Sequence, residues 1–361
     1  MDVGKSRRSF LDRDFVETED GLLFCVIGNV HPPERVIAYL KYAPAQEKTK
    51  WGRKGTSFSR VLPFYSAVGV SKVRELLEER HPDFVVWDPV LGIEMIEVPR
   101  DRISFHYIPE DRLEEIMGGP RDPLEKRVVE LVTTLIEESG VGQKYFGVTG
   151  SILLGIHNPA YSDIDLTIYG KENSYRLKET ILHLIDHDRR FYRAYGRTLE
   201  EWSREIASIY PLSIKEAEIL RGREKWDRIF FEDVQFSVHP ILLEPLERYG
   251  ERIYKGRGIV EIRARVSNTE YSLFTPAIYG VENVEVVSGP KGVEMDIREV
   301  VSFESLYRDI AEEEERILVR GKLEEVIDSE GERNYHRVVV GTFEAGGEDY
   351  IKPERWYKEL P

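Results

Sequence analysis

The chain has 361 residues, of which 41% are hydrophobic and 32% charged, and it carries a formal net charge of −15. This length predicts two or three domains with well-formed cores. The acidic balance argues against a protein that wraps duplex DNA with its whole surface, although it leaves room for a local basic groove. The sequence contains no long apolar run and no secretory segment, which predicts a cytoplasmic protein with no membrane partner.

The cysteine content and the content of charged residues indicate which kinds of site to exclude and what kind of source to expect. Cys25 is the lone cysteine, which excludes an intrachain disulfide and a thiolate zinc cluster. Abundant charged residues with few cysteine, glutamine and asparagine residues are typical of thermophilic proteins, in which ion-pair networks grow and heat-labile residues become rare. We therefore predict a thermophilic source.

Residues 1–118 are predicted to form an N-terminal α+β accessory domain. Segments 22–30 and 36–44 are apolar and separated by a His-Pro-Pro turn, which indicates two paired strands. Segment 71–80 has the pattern of an amphipathic helix, and extended segments follow it. The Gly-Gly-Pro stretch at 118–120 interrupts the pattern and marks the first predicted domain boundary.

Residues 119–255 are predicted to form a central domain. Asp122 as N-cap, Pro123 at the first helical position and Glu125 in a capping box predict the start of a helix, and Gly140 predicts its end. The patterns that follow predict strands at 144–149 and 165–170, helices near 174–188, 198–209 and 213–221, and an alternating strand at 234–241.

Residues 256–361 contain several strand-like segments separated by turn residues, which predicts a small, mostly antiparallel β domain of barrel or sandwich type. The expected fold class is therefore α+β and multidomain. An α+β domain precedes the central domain and a β-rich domain follows it.

The most informative stretch is TGSILLGIHNPAYSDIDLTIYG, residues 149–170. Alternate residues of a strand point to the same side, so Asp163 and Asp165 are expected to project together. Two neighbouring carboxylates repel each other unless positive charge lies between them, and Mg²⁺, or Mn²⁺, is a hard cation that accepts carboxylates together with substrate phosphates. The spacing therefore predicts that both aspartates bind metal.

Gly150 and Ser151 are expected to form the complementary half of the site. Glycine permits close backbone approach, and Ser151 offers a hydroxyl and an N–H where a short helix begins, an arrangement suited to phosphate. A nucleoside triphosphate could extend from Ser151 to metal at Asp163 and Asp165. Each pair taken alone is more often structural, but the two pairs in this order, separated by twelve positions, are specific.

This combination resembles the polymerase-β-like nucleotidyltransferase superfamily, and more closely the predicted archaeal nucleotidyltransferases, over residues 121–241. The resemblance implies a mixed sheet covered by helices on one side, two metal ions, and transfer of a nucleoside monophosphate from a nucleoside triphosphate to a hydroxyl. It assigns phosphate binding to Gly150 and Ser151 and metal binding and catalysis to Asp163 and Asp165.

The resemblance also implies a third carboxylate on a later strand, and there the sequence departs from it. The polar face of the strand at 234–241 presents Gln235, Ser237 and His239. Asp233 or Glu261 could replace the missing group. His239 is either a general base, because its unperturbed pKa is near neutrality, or a packed side chain before a proline.

Segment 189–197, RRFYRAYGR, is a further candidate. If it is helical, Arg189, Arg193 and Arg197 share one face with aromatic residues between them, a composition found at nucleotide and single-strand sites. The alternative is a solvated arginine face with the aromatic residues in the core.

Two functions are compatible with these features. The first is a Mg²⁺- or Mn²⁺-dependent nucleotidyltransferase whose acceptor is RNA, DNA, a protein or a small molecule. The second is a weak or inactive protein of the same fold that binds nucleotide or RNA. The missing third carboxylate and the β-rich C-terminal domain motivate the second.

Overall fold

The structure is a computed structural model that describes residues 8–61, 67–290, 296–328 and 334–359. Its strands are β1 (Phe15–Thr18), β2 (Leu23–Val26), β3 (Arg35–Ala45), β4 (Trp51–Arg53), β5 (Thr56–Arg60), β6 (Val85–Asp88), β7 (Ile93–Pro99), β8 (Ile103–Tyr107), β9 (Phe146–Thr149), β10 (Ile164–Tyr169), β11 (Phe191–Tyr192), β12 (Arg228–Phe231), β13 (Val234–Ile241), β14 (Arg252–Tyr271), β15 (Ala277–Ser288), β16 (Ile297–Ser302), β17 (Arg316–Asp328), β18 (Tyr335–Val340) and β19 (Tyr350–Pro353). Its helices are α1 (Ala67–Arg80), α2 (Pro109–Gly118), α3 (Pro123–Ser139), α4 (Gly150–Leu153), α5 (Lys171–His187), α6 (Gly196–Ile209), α7 (Ile214–Ile219) and α8 (Arg355–Glu359).

The chain is α+β and multidomain, as predicted, and it folds into two compact units. The first unit comprises Met1–Pro63, Glu97–Ala194 and Trp226–Pro245, and the second comprises Phe64–Ile96, Tyr195–Lys225 and Leu246–Pro361. The three-part division at residues 118 and 255 follows the sequence pattern alone and stays a prediction. Among the described residues, no helix combines the length and the apolarity needed to cross a bilayer.

The first unit contains two sheets. One has the strand order β4-β5-β3-β2-β1-β8 with antiparallel neighbours, and residues 97–99 of β7 pair with β3. The other is the predicted mixed sheet, with the order β11-β12-β13-β10-β9. In this mixed sheet β10 and β13 are parallel and the other neighbours are antiparallel.

Helices cover one face of the mixed sheet. Helix α5 packs against β10, β11 and β13, and α3 packs against α5. Their buried residues include Val128, Leu131 and Leu135 of α3 and Leu177 and Ile181 of α5. Because strand side chains alternate, the apolar residues of β10 face these helices while its polar residues face the opposite side.

The start of α3 shows how local sequence sets an element. The Asp122 carboxylate accepts hydrogen bonds from the backbone N–H groups of Leu124 (2.8 Å) and Glu125 (3.0 Å), and Gly140 ends the helix in the left-handed region. The predicted capping box differs in one bond. The Glu125 carboxylate accepts from the N–H of Arg121 at 2.6 Å, one residue before the cap.

The second unit is built around a barrel. The strand order β14-β15-β16-β18-β17 closes because β14 also pairs with β17, and only the β16–β18 pair in this described barrel is parallel. Helices α6 and α7 contribute Ile206, Ala217 and neighbouring apolar residues to the same core as Val260 and Val300. The predicted β-rich C-terminal region is therefore confirmed as mostly antiparallel.

The helical interpretation of segment 189–197 is wrong. Phe191 and Tyr192 form strand β11, which pairs with Phe231 and Phe230 of β12, and α6 begins only at Gly196. Phe191 is buried against Phe231, with ring centroids 4.9 Å apart. This packing of aromatic side chains on a sheet favours a strand, although the spacing of the arginines matches a helix. The arginines consequently do not share a helical face.

Candidate active site

The two aspartates lie where three strands of the mixed sheet meet. Asp165 is the second residue of β10, and Asp163 directly precedes that strand. Asp165 is in register with Thr149 at the end of β9 and with Ser237 on β13. All of these side chains belong to the sheet face that α3 and α5 leave uncovered.

Gly150 occupies a position that only glycine fits. Its φ is +66°, in the left-handed region, and an added Cβ would lie 2.3 Å from the Oδ2 atom of Asp165. The predicted short helix after this residue is α4, which has four residues. The N–H of Ile156 donates to the carbonyl of Ser151 at 3.0 Å and closes the turn that follows the Gly-Ser pair.

Asp165 is fixed from the side of β13. The hydroxyl of Ser237 donates to Asp165 Oδ1 at 2.5 Å and lies 3.1 Å from Nε2 of His239. That nitrogen is 3.7 Å from Asp165 Oδ1. With the proton on Nε2, His239 donates to the Ser237 oxygen, which leaves the hydroxyl proton of Ser237 for the carboxylate. In this geometry His239 supports the hydrogen bond from Ser237 to Asp165, and the choice between a general base and a packed side chain stays a prediction.

The pKa values of the two carboxylates are shifted in opposite directions. Burial, and then the negative charge of Asp165, raise the pKa of Asp163, against the opposing charges of Arg228 and Lys41. Burial also acts to raise the pKa of Asp165, but the nearby imidazole of His239, the charge of Lys41 and the hydrogen bond from the Ser237 hydroxyl hold it well below its usual range. Asp165 therefore holds its negative charge more firmly than Asp163 does.

Of the three β13 positions considered for a third carboxylate, Ser237 lies directly beside Asp165 in the parallel pair. The amide oxygen of Gln235 accepts from Nη2 and Nε of Arg228 at 3.0 and 2.9 Å. We prefer this orientation to one with the amide nitrogen toward Asp163 at 3.5 Å, because two short hydrogen bonds outweigh one long one.

The two suggested replacements for this carboxylate have other roles. The Asp233 side chain is 79% exposed and pairs with Arg127 at 3.2 Å. Glu261 belongs to the second unit, where it accepts a hydrogen bond from the hydroxyl of Tyr350 at 3.0 Å. Neither observation places a carboxylate beside Asp165.

Lys41 carries a buried charge that sequence reasoning missed. It lies on β3, is only 6% exposed, and its Nζ is 5.4 Å from the centre of the Phe15 ring. Its positive charge acts on both Asp163 and Asp165. The available signal was a lysine within the otherwise apolar run VIAYLKYAP. A charge inside such a run needs a partner when it is buried.

Hydrogen bonds to main-chain carbonyls join the N-terminal segment to the chain around the Gly-Ser turn. The N–H of Gly52 donates to the carbonyl of Ile156 at 3.1 Å, and the guanidinium of Arg53 donates to the carbonyl of Leu154 at 3.2 Å. The hydroxyl of Thr149 donates to the carbonyl of Arg13 at 2.6 Å. Residues from the N-terminal segment of the first unit therefore hydrogen-bond to the chain on both sides of the Gly-Ser pair.

The structure separates the predicted arginines. Arg189 is exposed in the turn before β11. Arg193 is half-buried directly after β11, where burial lowers the pKa of its guanidinium and the charge of Asp186 opposes that effect. Their predicted nucleotide-binding role stays a prediction. Arg228, which sequence reasoning also missed, lies in register with Ser237.

The donor set at Asp163 and Asp165 fits a hard divalent cation, because it consists of neighbouring carboxylate oxygens. A second group within the described residues, formed by Asp122, Glu125 and His157, is compact enough to hold a metal. Its atoms already serve the α3 cap, an ion pair with Arg112 and a 2.8 Å contact between His157 and Asp122.

Comparison with known proteins gives two similarities. Over residues 129–261 the sequence matches the family described as "Nucleotidyltransferase domain". "Uncharacterized protein MJ1086" of Methanocaldococcus jannaschii, an archaeal protein, is 31% identical over 356 residues, which cover 95% of this chain and 98% of that protein. No solved structure matches the chain.

Proposed function

The chain belongs to the nucleotidyltransferase domain family, and on that premise we propose that it transfers a nucleoside monophosphate from a nucleoside triphosphate to a hydroxyl group. The observation that carries the proposal is the placement of Gly150 against Asp165, with Asp163 beside it on the face of the mixed sheet opposite α3 and α5. This arrangement brings a backbone turn suited to phosphate next to a pair of metal-binding carboxylates.

Each residue has a distinct proposed role. Asp163 and Asp165 bind Mg²⁺ or Mn²⁺, and Gly150 and Ser151 bind the triphosphate through the backbone and the Ser151 hydroxyl. A bound divalent ion neutralises charge on the phosphates and polarises the phosphoryl group that is transferred. Ser237 orients Asp165 through its 2.5 Å hydrogen bond, so that this carboxylate stays in one geometry.

The proposed reaction is a displacement at the α-phosphorus. The oxygen of the acceptor hydroxyl forms a bond to phosphorus, the bond from phosphorus to the bridging oxygen breaks, and pyrophosphate leaves. The hydroxyl proton passes to solvent. The contribution of the protein is positioning and electrostatic stabilisation rather than covalent chemistry.

The acceptor is proposed to approach from the β12–β13 side, since Gly150 closes the β9 side. That side carries Arg228 together with Tyr192 and Phe230, whose rings are stacked with centroids 5.2 Å apart at an interplanar angle of 6°. Arginine beside an aromatic pair suits phosphate and nucleobase recognition, which supports RNA or DNA as the acceptor. The cytoplasmic location of the protein stays a prediction.

The test is direct. The chain is incubated with each radiolabelled triphosphate, Mg²⁺ or Mn²⁺, and RNA, DNA, protein and small-molecule acceptors, and labelled product and pyrophosphate are measured. We expect product with the wild type and a loss of at least about 100-fold with Asp163→Asn or Asp165→Asn, as for removal of an electrostatic catalytic group. Product formation that is unchanged in both variants would refute the assignment.

A second function is favoured by one observation, the presence of Ser237 rather than a carboxylate beside Asp165. In this alternative the protein binds nucleotide or RNA and transfers weakly or not at all. Metal-dependent nucleotide binding without detectable product over all acceptors, together with RNA binding, would support it. Product that depends on Asp163 excludes it.

A further inference from the structure

We propose that the nucleobase of the donor nucleoside triphosphate stacks on the ring of Tyr161, on the face opposite Lys50. This assignment rests on the proposed function and deepens it, because it gives the base of the donor nucleotide a contact of its own. Three features carry it, which are the place of Tyr161 in the chain, the exposure of its ring and the basic hairpin beside it.

Tyr161 lies between the two halves of the proposed site. It follows Ser151 by ten positions and precedes Asp163 by two. Because two residues span at most about 7 Å, the Cα atoms of Tyr161 and Asp163 are no farther apart than that. A nucleotide whose triphosphate extends from Ser151 to metal at Asp163 therefore has its sugar and base in the neighbourhood of Tyr161.

The side chain of Tyr161 projects into solvent from a closed turn. The residue is 73% exposed. The N–H groups of Tyr161 and Ser162 donate to the carbonyl of Asn158 at 3.0 and 2.9 Å, and the N–H of Asn158 donates to the hydroxyl of Ser162 at 3.0 Å. The backbone thus holds a large aromatic surface in water, where a nucleobase can cover it by stacking.

Lys50 determines which face of the ring the base takes. Its Nζ lies over the Tyr161 ring, 5.6 Å from the ring centre, which is within the range of a cation–π attraction. Lys50 is itself exposed. The ammonium covers one face of the ring, and the base stacks on the other.

The hairpin formed by β4 and β5 is attached to the chain that precedes this turn. The N–H of Gly52 donates to the carbonyl of Ile156 at 3.1 Å, and the guanidinium of Arg53 donates to the carbonyl of Leu154 at 3.2 Å. Lys50 directly precedes β4, so these bonds keep it beside the tyrosine ring.

The charge of this hairpin indicates the class of ligand. Residues 48–54, KTKWGRK, contain four basic residues and no acidic one, in a chain whose net charge is −15. Local positive charge of this kind attracts anions. The combination of an exposed aromatic ring and basic side chains therefore suits a nucleotide better than an uncharged aromatic molecule.

The donor nucleotide is the one expected at this ring. In the strand order β11-β12-β13-β10-β9, the acceptor is proposed to approach from the β12–β13 side. Tyr161 belongs instead to the connection from α4 to β10, and the hairpin contacts that same connection. Each substrate thus has an aromatic surface of its own, with the proposed phosphate turn on the donor side.

The first experiment compares ligands with and without a base. Binding of the α,β-methylene analogues of ATP and GTP, and of inorganic tripolyphosphate, is measured by calorimetry in Mg²⁺. We expect Tyr161→Ala to weaken binding of both analogues by about 5- to 150-fold, the range for one base stacked on an aromatic side chain, and to leave tripolyphosphate binding unchanged. Tyr161→Phe keeps the ring and should bind both analogues as the wild type does.

Tyr145 offers a matched control in the same unit. The Nζ atom of Lys144 lies 4.9 Å from its ring centre, so this ring also carries a lysine. Tyr145 directly precedes β9, whereas the Gly-Ser turn follows the last residue of that strand. Tyr145→Ala should therefore bind the analogues as the wild type does. Equal losses of analogue affinity in Tyr161→Ala and Tyr145→Ala, or an equal loss for tripolyphosphate in Tyr161→Ala, overturn the assignment.

A second experiment uses the wild-type chain. The photoreactive nucleotide 8-azido-ATP is bound in Mg²⁺ and irradiated, and the modified peptides are identified by mass spectrometry. We expect modification within residues 48–54 or 158–163, suppressed by an excess of the α,β-methylene analogue of ATP. Suppressible modification that is confined to other segments overturns the assignment.

The outcomes separate this assignment from the proposed function. Wild-type protein that binds neither tripolyphosphate nor the analogues contradicts the proposed function itself. Analogue binding that Tyr161→Ala leaves unchanged overturns only the role of the ring. If Tyr161→Ala instead weakens binding of single-stranded RNA and leaves analogue binding unchanged, the ring belongs to the acceptor and the assignment to the donor is wrong.

Discussion

Replacing Gly150 with alanine is the sharpest test of how the site is built. The residue has a φ of +66°, and an added Cβ would lie 2.3 Å from Asp165 Oδ2 and 3.3 Å from Cγ of the same carboxylate. Alanine in the left-handed region costs about 1–2 kcal/mol. The clash also forces the carboxylate to move, and the hydrogen bond from Ser237 to a charged group is worth about 1.5–3 kcal/mol.

Gly155 offers a matched control in the same turn. Its φ is +64°, and an added Cβ there would have nothing within 4 Å. Gly155→Ala therefore carries the backbone cost of about 1–2 kcal/mol without the clash. We expect Gly150→Ala to lower the free energy of unfolding by about 2.5–5 kcal/mol in total, as the two contributions add.

The assay combines denaturant unfolding, from which the free energy is obtained by linear extrapolation, with Mn²⁺ titration of the folded protein. Gly150→Ala is expected to weaken Mn²⁺ binding as well as stability, because Asp165 is displaced, whereas Gly155→Ala affects stability alone. Equal losses of stability and equal Mn²⁺ affinities in the two variants would refute the argument that Gly150 is required by its contact with Asp165.

Three further predictions concern single residues. Ser237→Ala removes the donor to Asp165 and is expected to cost about 1.5–3 kcal/mol of stability, measured by thermal unfolding. It is also expected to weaken Mn²⁺ binding, measured by titration. Ser237→Thr should retain most of the stability and most of the Mn²⁺ affinity. Burial, and then Arg100, lower the pKa of His31 to about 4, so the unfolded chain takes up a proton near pH 6.5 while the folded chain does not. The free energy of unfolding should therefore fall by about 2–3 kcal/mol from pH 6.5 to 4. The same fall in His31→Asn, where an amide oxygen can still accept from the N–H of Ile37, would contradict this cause. Asp122→Ala removes the α3 cap and should cost about 0.5–2 kcal/mol, and a lower Mn²⁺ stoichiometry in this variant would locate metal at the Asp122–Glu125–His157 group instead of at Asp163 and Asp165.

The sequence predicted local elements well where one strong signal sufficed. Asp122, Pro123 and Gly140 mark α3 because capping depends on residues within one turn. The strands at β10 and β13 and the helices α5, α6 and α7 follow patterns with a clear period. The same reasoning failed at Phe191 and Tyr192, because pairing with β12 depends on residues about 40 positions away.

For the site, the sequence determined the Gly-Ser and Asp-x-Asp pairs and the family to which the chain belongs. Gly150 and Asp165 belong to neighbouring segments joined by α4 and one loop, so their spacing is a local property that a pattern can record. The tertiary structure alone decided that Lys41, from an N-terminal strand, contributes its charge to both aspartates. It also decided that Ser237 lies beside Asp165 and that Arg228 binds Gln235. These relations depend on strand register and sheet packing, which bring together residues far apart in sequence and which no local pattern specifies.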